Sequence, residues 1–188
     1  EQRAGAFGRG VVLAAAADVV NARHGQLVEA SQRLLSAVCL SEEVQQSIHP
    51  NATPSDIARC ESYFLRVLHQ FPKQYSAAIV TDRQGVVRCS SMPTAMGMSV
   101  ADREIFQKSR TARGFTVGSH IASRFAAHTV VPIGMPVVKE GEFAGVCAIG
   151  ITLEALADAG APTDTVAGVG VALVDRNGVA IGGSPAAM

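Results

Sequence analysis

Across 188 residues the 16 Lys and Arg balance 16 Asp and Glu. The chain therefore has no positive field to hold a phosphate backbone, and without Trp and with only 5% aromatics it has no base-stacking surface. Composition thus argues against a nucleic-acid partner, while 48% hydrophobic content suffices for the packed core of one domain or a domain and a half. The longest wholly apolar run, residues 11–17, is seven residues long; a membrane span needs about 20.

The chain opens on a long helical stretch, residues 6–40, within a stalk segment 1–40. Leu13, Val20, Leu27 and Leu34 recur every seven residues, with Ala17 and Val38 on the flanking position and no proline. At 1.5 Å per residue the helix spans roughly 50 Å. His24 and Ser31 fall on the same stripe and interrupt a coiled-coil seam. The helix is expected to pack on its own domain with one face and to pair with a second copy, as a homodimer, through another.

Residues 41–56 are rich in turn formers, and Ser55 and Asp56 are expected to cap a helix over 57–70. Pro72 ends that helix. Strands at 77–81 and 86–90 form a hairpin around Asp82-Arg83-Gln84-Gly85. A loop covers 92–100, and Asp102 is expected to cap a helix over 103–111. Strands follow at 115–123, 129–138 and 143–152, then a helix at 153–159 and a linker from 160 to 163. Residues 143–151 are apolar on both faces, with small Ala144, Ala148 and Gly150 on one of them. That is the pattern of a central strand with room above it for a helix or a ligand. Hairpin connections make the sheet antiparallel, so the fold class is α+β.

The first hairpin is said twice: Leu173-Val174-Asp175-Arg176-Asn177-Gly178-Val179 repeats its pattern 93 positions later. The expected organisation is a stalk at 1–40, a complete module at 41–160, and at 161–188 the opening hairpin of a second, truncated module.

No nucleophile elbow, zinc-protease helix, phosphate loop or C-x-x-C occurs. His120 and His128 can meet across a hairpin, but two histidines make a poor metal site, so no metal or cofactor is expected. Cys147, in an apolar strand, reads as a buried thiol. By spacing alone Cys60 and Cys89 are either bridged or free. Ser90 and Ser91 read as turn hydroxyls; a small hydrolase pairing one of them with His120 is the enzyme alternative. Arg103, Ser119, His120, Ser123, Arg124, His128 and Thr129 cluster in sequence around the third and fourth strands. With the helix at 103–111 folded over the sheet, Arg103 and Arg124 offer two guanidinium forks suited to a carboxylate or another anion.

At these residues the chain resembles the extracytoplasmic Cache (PAS-like, PDC) sensor domains of bacterial membrane receptors, of the double Cache type. The matching features are the long leading helix, the hairpin from Val80 to Ser91, and Ala101-Asp102-Arg103-Glu104-Ile105-Phe106. Further along are Phe115-Thr116-Val117-Gly118-Ser119, Val131-Pro132, and Gly145-Val146 leading to Ile151-x-Leu153-x-x-Leu156. Their order carries the likeness, over residues 5–159. The resemblance implies a five-stranded PAS-like sheet and a non-enzymatic input domain. It implies a periplasmic location on an inner-membrane protein, with membrane helices only in flanking segments. The output is then a diguanylate cyclase, histidine kinase or chemoreceptor region. It places a small-molecule ligand between sheet and lid, with Arg103 and Phe106 on the lid side and Ser119, His120 and Arg124 on the sheet side; Thr129 completes the expected ligand-binding set. It also implies a Cys60–Cys89 disulfide. The chain departs from the amino-acid-binding pattern: Trp is absent, Tyr63 and Tyr75 stand outside the pocket region, and Ile105 replaces a common Tyr. An anion is therefore the expected ligand; the alternative is a structural dimerisation module with none.

Overall fold

The structure is a computed structural model. It describes the backbone at residues 2–125, 128–160, 171–174, 178 and 180–184, and the side chains at 18–125, 128–160, 172, 174 and 178. The chain forms two compact units, Ser31–Ala155 and a second made of Glu1–Ala30 with Leu156–Met188.

Helix α1 spans Gln2–Cys39. Among its described side chains, from residue 18 on, the buried ones are Ser31, Leu35, Val38 and Cys39, a spacing of four, three and one that follows 3.6 residues per turn rather than the predicted heptad. The heptad residues Leu27 and Leu34 are only half-buried. The polar residues on the stripe have partners. Ser31 shares a 2.8 Å hydrogen bond with the Tyr75 hydroxyl, and His24 Nε2 lies 2.8 Å from the Leu156 carbonyl. Burial pushes the Tyr75 hydroxyl above its ordinary pKa.

Helix α2 (Glu42–Ser47) is followed by α3 (Pro54–His69). The cap of α3 is Thr53, not the predicted Ser55. Thr53 Oγ1 accepts from the Asp56 N–H and the Asp56 carboxylate accepts from the Thr53 N–H, with Pro54 at the first helical position. The Thr53 hydroxyl, donating to the Asp56 carboxylate at 2.7 Å, and then the Thr53 N–H hold that carboxyl down at about 2.

The sheet contains β1 (Tyr75–Thr81), β2 (Val87–Ser90), β5 (Thr129–Lys139) and β6 (Glu142–Thr152) in the order β2-β1-β6-β5, all antiparallel. The predicted strand 115–123 is broken into β3 (Thr116–Val117) and β4 (Ile121–Ala122), which pair separately with β5. Helix α4 (Glu104–Thr111) follows a short turn at Pro93–Ala95, and α5 (Leu153–Gly160) follows β6. As the apolar run suggested, β6 is central and buried from Gly145 to Ile151.

Cross-strand register sorts the side chains into two faces. Val80 pairs with Cys89 on one side and Cys147 on the other, so these three form one row. Cys89 is bonded to Cys60 of α3, and Cys147 to Cys39 of α1. Cys147 is therefore half of a disulfide, not the predicted thiol. Two covalent links leave one row of the sheet and fix both helices on the same face. The opposite face carries a second core of Ile79, Val87, Ala95, Val100, Phe106, Val146 and Ala148.

The repeat also has a structural counterpart. In the first hairpin Thr81 pairs with Val87 and Val80 with Cys89, with an irregularity between Val80 and Thr81. In β7 (Val171–Val174) and β8 (Ala180–Ser184), Val174 pairs with Ala180 and Leu173 with Gly182, with the irregularity at the matching place. Gly85 and Gly178 both adopt positive φ, 81° and 80°, which glycine takes at no steric cost. Asp175, Arg176 and Asn177 lie outside the described residues, as does the predicted linker beyond Gly160.

Candidate functional site

A cavity of about 70 Å³ lies on the face opposite α1. Its floor is Ile79 of β1, Val130 and Pro132 of β5, and Ala148 and Gly150 of β6. One wall is Val100, Arg103 and Ile105, where the chain enters α4; the other is Ile121, Ser123, Arg124 and Phe125. Ser76 and Ala77 complete the floor. They face this way because the β1–β6 register shifts between Tyr75 and Ala78, placing both residues between two positions that face α1. The small residues of β6 leave the space, as the sequence suggested. At Gly150 an added Cβ would stand 2.8 Å from Ser76 Oγ and 3.3 Å from Val130.

The two predicted guanidinium groups have different roles. Arg124 is engaged: it donates to both Asp102 oxygens, one at 3.0 Å, and to the Ser99 carbonyl at 3.1 Å. This holds the Asp102 carboxyl below its ordinary pKa. Asp102 is thus an ion-pair partner and not the predicted helix cap; the cap position is Arg103, with no side-chain capping bond. The Arg103 guanidinium makes no hydrogen bond or salt bridge among the described residues; its charge acts on the adjacent Asp102, and it lines the cavity. The Arg103, Arg124 and Asp102 trio carries a net charge of +1, and among the described residues no Asp or Glu lines the cavity.

The other predicted site residues lie around this cavity without lining it. Phe106 is buried in the second core, edge-on to Phe143 with ring centroids 6.1 Å apart. The Ser119 N–H donates to Glu104 Oε2 at 2.7 Å, tying α4 to the segment after β3. Glu104 also pairs with Lys108, and that bond, then the Ser119 N–H, holds its carboxyl down at about 2. His120 is half-buried, and Thr129 opens β5 opposite Ala122. Ser90 and Ser91 bond to the Ala78 backbone, so neither hydroxyl is poised as a nucleophile. Among the described residues no three His, Cys, Asp or Glu gather as a metal site. Sequence reasoning grouped Ser123 with the site but missed Ser76 and Phe125; only the smallness of Ala148 and Gly150 signalled the floor.

A wider groove of about 590 Å³ lies by the strand turns. Arg83, Arg88 and Lys139 there face Asp82, Glu140 and Glu142, charges that cancel and favour no simple ion.

No protein-family model matches the sequence. No curated protein matches it either. Solved structures do share its fold. The sensor domain of the histidine kinase DctB from V. cholerae matches with a TM-score of 0.80 at 14% identity, over 98% of this chain and 69% of that one. The sensory domain of the Campylobacter jejuni chemoreceptor Tlp3, solved with isoleucine bound, gives 0.67 at 16% identity, over 93% and 71%. The ligand-binding domain of the Pseudomonas aeruginosa amino-acid chemoreceptor PctC, in complex with GABA, gives 0.64 at 16%, over 90% and 74%. The chain has the α+β fold of extracytoplasmic Cache-type sensor domains.

Proposed function

We propose that this chain, folded as such sensor domains are, is the periplasmic input domain of a membrane receptor and binds a small carboxylate in the cavity beneath α4. One observation carries the reading: at the wall of a mostly apolar cavity, where Arg124 is taken up by Asp102, the Arg103 guanidinium has no hydrogen bond or salt bridge among the described residues. A guanidinium fork matches a carboxylate bidentately, and the apolar floor suits a short hydrocarbon chain. Isoleucine and GABA, seen in structures of the same fold, are both carboxylates. They also carry an ammonium, for which no carboxylate among the described residues lines this cavity. A carboxylate without a neighbouring ammonium is therefore the better fit.

The response runs to α1. Ala148 and Gly150 of the floor flank Ile149 in β6, and Cys147 of the same strand is bonded to Cys39 of α1. A ligand shifts α1 only by binding one arrangement more tightly than another. In a homodimer paired along α1, that shift passes through the membrane to a cytoplasmic output. No helix among the described residues is long and apolar enough to cross a membrane.

A thermal-shift screen of small carboxylates, amino acids and inorganic anions tests this. Carboxylate hits in the wild type that vanish in Arg103→Ala support it. Hits that survive in Arg103→Ala exclude the site. A blank screen favours a structural dimerisation module instead.

A further inference from the structure

The cavity holds a polar group that the carboxylate reading does not use. Ser76 Oγ is buried and makes no hydrogen bond among the described residues. Its place is specific. The register shift in β1 turns Ser76 to the cavity side, and Gly150, lacking a Cβ, leaves the room the hydroxyl occupies. A buried hydroxyl without a partner is costly, and such groups in native proteins call for an explanation. The neighbouring Ser90 and Ser91 hydroxyls show the contrast, since both are bonded to backbone. Around Ser76 the floor is Ala77, Val130 and Gly150, with no side-chain donor or acceptor.

We infer that Ser76 is a specificity-determining residue, and that the ligand is a hydroxy or keto acid whose second polar group bonds to Ser76 Oγ. This rests on the carboxylate reading of the same cavity. Arg103, at the start of α4, takes the carboxylate, and Ser76, on the sheet, takes the oxygen further along. The ligand then satisfies both groups, and an analogue lacking the second oxygen leaves the hydroxyl unpaired. Sites built to bond a ligand oxygen discriminate strongly against analogues without it.

The test uses calorimetric titration of the whole chain with butyrate and its α-, β- and γ-hydroxy derivatives, against wild type, Ser76→Ala and Ser76→Cys. At least one hydroxy acid should bind the wild type roughly tenfold or more tightly than butyrate. Both variants should bring that ratio close to one while keeping butyrate affinity within about threefold. Without ligand, Ser76→Ala should melt at or above the wild-type temperature, because it removes an unpaired hydroxyl. A ratio that persists in both variants overturns the inference and leaves the carboxylate reading standing. So does a wild type that prefers butyrate, or a ligand-free Ser76→Ala that melts several degrees lower. Binding of none of the four acids overturns the carboxylate reading, and this inference with it.

Discussion

The two faces of the sheet are built on opposite plans. On the α1 face, Leu35, Val38, Val80, Ile133, Ile149 and Ile151 are almost wholly buried, and two disulfides anchor helices to one row of strands. On the α4 face the residues shrink to Ala148 and Gly150, a cavity opens beside the Phe106 core, and the cavity's rim is tied by polar contacts. These are the Arg124–Asp102 pair and the Glu104–Ser119 bond. A face fixed covalently transmits displacement without yielding, whereas one held by surface ion pairs worth about 1 kcal/mol or less can adjust to a guest. On the proposed reading, receiving and transmitting fall to different sides of one strand, β6.

The largest effect should come from breaking the fixed face. The Cys39–Cys147 link closes 108 residues and the Cys60–Cys89 link 29; chain entropy values them at about 5 and about 3.5 kcal/mol. Cys147→Ser should therefore lower the melting temperature by about 10 °C or more, and more than Cys60→Ser does. A fall of only a few degrees for Cys147→Ser would remove the distinction between the faces. A matched pair sharpens it. Ala78 faces α1 and Ala148 lines the cavity. Ala78→Leu overfills a packed site and should cost about 1–3 kcal/mol. Ala148→Leu fills existing space and should cost less, while abolishing ligand binding. Equal costs in chemical denaturation would refute the comparison.

Smaller effects separate the two arginines. Arg124→Ala loses the Asp102 pair, whose partners are 35% and 61% exposed, and should cost about 1 kcal/mol or less. Arg103→Ala should leave stability unchanged and lose ligand affinity. Smallest of all is the pH dependence of the Glu104 contact. Its carboxyl titrates at about 2 in the fold against 4.5 ordinarily. The contact is therefore fully stabilising above about 4.5 and is lost as pH falls through about 2. With a half-exposed partner and salt screening, the stake is about 1 kcal/mol or less. The melting-temperature gap between wild type and Glu104→Gln should close across that range; a constant gap would show that the carboxylate charge contributes nothing.

Much of this was legible locally. The central strand, the hairpin turns and the small face of β6 follow from periodicity and glycine placement within single segments. What was illegible depends on distant partners. Cys39 ends a helix 108 residues before Cys147, so an apolar strand context read as a thiol. Asp102 has the form of a helix cap, but Arg124 from the loop after β4 claims both its oxygens. Ser76 reads as an ordinary strand residue until the register shift turns it into the cavity. Of the predicted site, Arg103 and Arg124 line the cavity while Phe106, Ser119, His120 and Thr129 surround it, because the break between β3 and β4 redirects that segment.

The most direct test of the central claim is a crystal structure of the wild-type chain with the tightest carboxylate from the screen. The account predicts the ligand beneath α4, its carboxylate within hydrogen-bond distance of the Arg103 guanidinium and its chain over Ala148 and Gly150. A ligand in the charged groove by Arg83 and Arg88, or a carboxylate turned away from Arg103, would contradict it.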